Sequence, residues 1–110
     1  MRLRSHVPVR YQELRTSRLV ETLSKDVGEG GLQCLTSEFL PASSELMVEL
    51  SLRRGAPVAK ARARVAWIQQ LPHTDQYCLG LEFLYVPDPM RSAIHAYLAT
   101  AANRSGHPQA

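Results

Sequence analysis

The sequence predicts a small, mainly β protein: a six-stranded antiparallel β-barrel followed by one C-terminal α-helix. Three observations carry this. Short runs in which apolar and polar residues alternate recur from Val7 to Tyr85, the period of half-buried strands. Clusters of glycine, proline and small polar residues separate the runs, and after Asp88-Pro89 the apolar spacing becomes helical. Six short strands in an open sheet would leave two unpaired edges, which closure removes.

Val7, Val9 and Tyr11 alternate with Pro8, Arg10 and Gln12, and Pro8 places the start of this first strand at a sheet edge. Arg18 to Lys25 is a second extended run, and a hairpin turn near Thr16 would fold the segment around His6 back beside Asp26. The register is open to a slip of a residue or two. Asp26-Val27-Gly28-Glu29-Gly30-Gly31-Leu32 carries three glycines in four positions and reads as a turn. Glycine is costly to order inside a regular element, reaches positive φ freely and lets a ligand approach the backbone. Leu32 to Thr36 is a third short run, ended by the Pro41-Ala42-Ser43-Ser44 loop.

Leu46, Val48, Leu50 and Leu52 then share one face of a strand opposite Met47, Glu49, Ser51 and Arg53. After the Arg53–Pro57 turn, Ala59, Ala61, Ala63, Val65 and Trp67 share a core face opposite Lys60, Arg62 and Arg64. The small side chains allow close approach by something bulky. The basic row reads as a solvated outer face, with an anion track as the alternative. Leu79, Leu81, Phe83 and Tyr85 mark the last strand, with Phe83 and Tyr85 assigned to the core. Asp88 is placed as helix N-cap with Pro89 at the first helical position. Met90, Ile94, Tyr97 or Leu98, and Ala101 form a stripe expected to lie against the sheet, or alternatively against a partner. The expected domain is 1–102, with a flexible polar tail over 103–110.

At 110 residues the chain holds one core, and a net charge of +3 suits an anionic ligand while falling short of a dedicated nucleic-acid binder. With Trp67, Phe83 and Tyr85 in the core, few of the seven aromatics remain to stack bases, which argues against a single-stranded nucleic-acid barrel. Cys34 and Cys78 lie in apolar runs without CxxC spacing, and read as reduced thiols. His6, His73, His95 and His107 show no metal spacing, and no nucleophile sits in a catalytic motif, so no enzyme and no cofactor is expected. No apolar run approaches a membrane span, and a cytoplasmic location without membrane insertion is expected.

The arginine-rich start leading into Val7-Pro8-Val9, the Asp26–Leu32 segment, Val65-Ala66-Trp67 and Tyr77-Cys78-Leu79-Gly80-Leu81-Glu82-Phe83 together resemble a PilZ domain, from about Arg2 to about Ala101. The resemblance implies a six-stranded barrel with a C-terminal helix and bacterial signalling through cyclic di-GMP. Ligand-binding members carry Arg-x-x-x-Arg before the first strand and Asp/Asn-x-Ser-x-x-Gly after the second. Guanidinium groups there suit phosphate and guanine, and the acid and hydroxyl suit the base.

Aligned on Val7-Pro8-Val9, the arginines fall on Arg2 and His6, and the second motif falls on Asp26, Gly28 and Gly31. His6 and Gly28 depart from the pattern. Losing one charge-assisted contact (about 1.5–3 kcal/mol) and one neutral hydrogen bond (about 1 kcal/mol) would weaken affinity by roughly two to three orders of magnitude. Arg4 and Arg10 are the side chains that could compensate. Two outputs follow from the resemblance: a receptor with a weakened site that acts through protein contacts on motility, pili or the envelope, or a ligand-independent protein-interaction adaptor.

Overall fold

The computed structural model describes residues 2–105, with side chains over 4–100. The elements are β1 (Arg2–Arg4), β2 (Pro8–Glu13), β3 (Leu19–Gly28), β4 (Gly31–Thr36), β5 (Glu45–Leu50), β6 (Ala59–Gln70), β7 (Tyr77–Tyr85) and α1 (Asp88–Ser105). Six strands close in the order β3-β2-β5-β6-β7-β4, with β4 returning to β3 and every neighbouring pair antiparallel. This is the expected barrel. The short β1 was not expected; it pairs with the far end of β3, beyond β2.

The β2–β3 hairpin turns at Leu14–Thr16, where Ser17 N donates to Glu13 O at 2.7 Å. Val9, Tyr11, Leu46, Val48, Leu50, Leu79 and the small row Ala59, Ala61, Ala63 fill the interior. Met90, Ile94 and Leu98 of α1 are buried, so the helical stripe belongs to the core, packed toward β6 and β1. The first intrahelical bond runs from Arg91 N to Pro87 O, which puts Asp88 inside the first turn, one position later than an N-cap. The helix continues through Asn103–Ser105; the remainder of the expected tail, 106–110, lies outside the described residues.

The glycine-rich turn and the facing of Trp67 and Tyr85 are corrected as well. The glycine-rich segment is mostly strand: β3 runs to Gly28, β4 resumes at Gly31, and only Glu29–Gly30 turn the chain. Among the described glycines only Gly55 takes positive φ, so backbone freedom is not what the segment requires. At Gly31 the requirement is space, because a Cβ there would overlap the Leu81 carbonyl oxygen of the neighbouring strand.

Trp67 and Tyr85 are exposed, at 40% and 64%, not in the core. Along β6 and β7 the register shifts between Val65 and Trp67, so that Ala66 has no opposite residue. One inserted residue inverts every later side chain. Val65 points in and Trp67 points out. A second shift between Arg62 and Ala63 skips Leu84 and leaves Tyr85 outside in the same way.

Cys34 faces the interior opposite Leu79, whereas Cys78 lies opposite Leu35 with its Sγ 3.7 Å from Gln33 Oε1. Both thiols are free and buried on opposite faces of the wall, an arrangement that cannot be bridged. Burial pushes Cys34 up to about 12 and also raises Cys78.

Candidate ligand site on the outer wall

Bulges on both edges of β3 build the site. Toward β4 the register shifts between Ser24 and Asp26, skipping Lys25. A bulge of this kind places two consecutive side chains on one face, here Lys25 and Asp26 on the outside. Toward β1 and β2, the residues Ser5-His6-Val7 oppose only Ser24 and Lys25. The buried Ser24 hydroxyl fills that gap: it donates to Ser5 O and accepts from Val7 N at 2.9 Å. Both backbone groups are thereby satisfied.

Register then sets one row across five strands. Arg4 lies opposite Asp26, Asp26 opposite Gln33, Gln33 opposite Gly80, and Gly80 opposite Trp67. At about 4.8 Å between strands the row is roughly 19 Å long. Its first half is a hollow of about 320 Å³ lined by Arg4, Lys25, Asp26 and Gln33. Its second half is a hollow of about 300 Å³ whose lining includes Gln33, Gly80 and Trp67. Gln33 belongs to both. Asp26 Oδ1 accepts from Gln33 N at 3.2 Å, holding the carboxylate across the β3–β4 seam.

Charge is distributed unevenly over the wall. Arg10 sits between Glu21 at 3.4 Å and Glu49 at 3.9 Å, and Lys60 lies 3.8 Å from Glu49. Arg62 pairs with Glu45 and Arg64 with Glu82 at 2.9 Å. The basic row of β6 is thus a cross-strand charge ladder. Arg4 and Lys25 make no ion pair with any described residue. These two cations remain open to an anion.

The expected site residues therefore separate. Arg4 and Asp26 meet, as the hairpin argument anticipated. Arg2 pairs through its backbone with Gly28 at the end of the same ribbon, and its side chain lies outside the described residues. His6 is exposed beside them, its Nδ1 2.9 Å from Ser24 O. A carbonyl only accepts, so Nδ1 carries the proton and the free Nε2 of a neutral ring is an acceptor. Gly31 serves the packing of β4 on β7. Arg10 is not brought to the group: its partner Glu21 is five residues from Asp26 along β3, roughly 17 Å away. Sequence reasoning missed Lys25, Gln33, Gly80 and Trp67. The available signal was Gly80, a glycine in mid-strand, which marks a close approach by another group.

The C-terminal helix touches this region twice. Ser5 Oγ hydrogen-bonds the Tyr97 hydroxyl, and His95 Nε2 lies 3.0 Å from Glu29 Oε2 in the β3–β4 turn. Among the described residues no three His, Cys, Asp or Glu side chains gather as a metal site, and no helix is long and apolar enough to cross a membrane.

The molecule is a closed antiparallel barrel with a helix docked on it and a polar row on its outer wall. Residues 1–100 match the PilZ domain model, and the chain belongs to the PilZ domain family, of the cyclic di-GMP receptor class. No curated protein matches the chain. Among solved structures, the Bacillus subtilis inhibitor of motility MotI/DgrA is similar with a TM-score of 0.80 at 17% identity, over 99% of this chain and 51% of that one. The chain thus spans about half the length of that protein. The PilZ domain of Escherichia coli YcgR with c-di-GMP gives 0.72 at 14% identity, over 98% and 95%. The Borreliella burgdorferi PlzA protein in complex with c-di-GMP gives 0.60 at 15%, over 82% and 31%. At such identities the likeness establishes the fold.

Proposed function

We propose that this protein is a cytoplasmic cyclic di-GMP receptor with a weakened site, acting through protein contacts and without catalysis of its own. The observation that carries the reading is the row from Arg4 to Trp67. It offers unpaired cations for phosphate, a carboxylate and a carboxamide for a guanine edge, and an exposed indole for stacking, in that order. YcgR and PlzA domains of the same fold have been solved with c-di-GMP, and the similarity to an inhibitor of motility makes motility the first output to examine. Weakening follows from His6, whose Nδ1–H is turned to Ser24 O, and from Gly28, which has no hydroxyl.

The same two departures favour a second reading, a ligand-independent adaptor. Calorimetry with cyclic di-GMP on the wild type, beside the double variant His6→Arg, Gly28→Ser, separates the two. A receptor binds in the wild type and tightens in the double variant. An adaptor shows no heat in the wild type, whatever the double variant does.

A further inference from the structure

Between α1 and the β5–β6 turn lies a hollow of about 460 Å³, sharing no lining residue with the Arg4–Trp67 row. Leu52, Pro57 and Val58 from the β5–β6 turn form one wall, and Pro89, Ala93 and Ala96 from the helix form the other. Val58 is 40% exposed, although the sheet and the helix both offer it apolar neighbours. Arg53 and Lys60 are the charged residues of the lining. A small-molecule pocket of this size, in the range of roughly 300–1,000 Å³, holds convergent polar groups deep inside to orient its ligand. Here the side chains with polar atoms are two long cations.

Of the two, Arg53 identifies the occupant. Arg10, Arg18, Lys60, Arg62, Arg64 and Arg91 each have a carboxylate within ion-pairing distance. Arg53 and its neighbour Arg54 are exposed and make no ion pair with any described residue. Two adjacent unpaired arginines beside an apolar trough call for a partner that brings both carboxylates and aliphatic anchors. We infer that the groove between α1 and the β5–β6 turn docks an acidic, amphipathic peptide segment of a partner protein. Aliphatic side chains fill the trough between Val58 and Ala93, and acidic ones meet Arg53 and Arg54.

The test is a titration of the 15N-labelled protein with a synthetic amphipathic peptide of leucine and glutamate, and with its counterpart carrying lysine for glutamate. The acidic peptide shifts the amides of Val58, Ala93 and Ala96 saturably, with a Kd below about 1 mM, and the basic one does not. Arg53→Glu weakens binding roughly tenfold, and Ala96→Glu, at an exposed position that spares the fold, abolishes it. Unchanged amide spectra away from the groove establish that both variants are folded. Absence of shifts, equal binding of the basic peptide, or shifts confined to Arg4, Asp26 and Trp67 would overturn the inference. So would phosphatidylglycerol vesicles that sediment the wild type but not Arg53→Glu, since the arginines would then serve a lipid surface.

Discussion

The Trp67 indole occupies the space directly over Gly80, so that a methyl group at position 80 would overlap its Cε2 and Nε1 atoms. The glycine is the seat of the tryptophan, and together they close one end of the Arg4–Trp67 row. Gly80→Ala should therefore push the indole out at a cost of about 1–3 kcal/mol. Trp67 is the sole tryptophan of the chain, so a red-shifted emission reads the displacement. In either Gly80→Ala or Trp67→Ala, affinity for cyclic di-GMP should fall roughly 5- to 100-fold, the value of about one stacked base. Unchanged affinity in both variants would remove Trp67 from the site.

Arg4 and Arg10 make a matched pair for testing where the ligand lies. Among the described residues Arg4 has no ion-pair partner, whereas Arg10 is held between Glu21 and Glu49. Arg4→Ala should leave stability within about 0.5 kcal/mol and weaken cyclic di-GMP binding roughly 10- to 100-fold. Arg10→Ala should leave binding untouched and cost at most about 1 kcal/mol of stability. Calorimetry and urea unfolding on the two variants give both quantities.

The glycines of the β3–β4 segment are not equivalent. A Cβ on Gly31 would overlap Leu81 O and stand 3.0 Å from Leu81 C and 3.3 Å from Glu82 Cα, all backbone of a fixed strand. A Cβ on Gly30 would meet nothing within 4 Å. Gly31→Ala should lower the melting temperature sharply, by about 3 kcal/mol or more in stability, because β4 and β7 must separate to admit it. Gly30→Ala should be near neutral, which thermal melts of the pair will show.

Two buried groups make the barrel sensitive to alkali. Burial pushes Cys34 from 9.0 and Tyr11 from 10.0 up to about 12. The unfolded chain releases these protons first, so the folded state binds more protons above pH 9. The stabilisation is complete below about pH 9 and is lost as pH climbs toward about 12. Unfolding free energy should drop by on the order of 3 kcal/mol between pH 9 and 11. Cys34→Ala and Tyr11→Phe should each flatten that slope in urea titrations. Tyr11→Phe also costs about 1 kcal/mol at neutral pH through its 2.8 Å bond to Thr36 Oγ1.

Ser24 holds the bulge that carries His6. Ser24→Ala leaves the Val7 N–H without its 2.9 Å acceptor in a buried position and should cost about 1–3 kcal/mol. Faster exchange of the Val7 amide, seen by hydrogen exchange, is the local signature.

Alternation and helical spacing are local properties of a chain, and they sufficed for the six barrel strands, the helix and its buried stripe of Met90, Ile94 and Leu98. The resemblance to a PilZ domain was legible for the same reason, since its motifs are contiguous. The meeting of Arg4 with Asp26 followed from one hairpin. The facing of Trp67, the pairing of Lys25 with Asp26 on one face, and the neutralisation of Arg10 by Glu21 and Glu49 could not be read in this way. Each depends on how many residues a strand spends against its partner. A single unmatched residue, Ala66 or Lys25, leaves the local pattern intact yet exchanges inside for outside in all that follows. The inventory of the site was written along the chain, but its membership was set by register between strands distant in sequence.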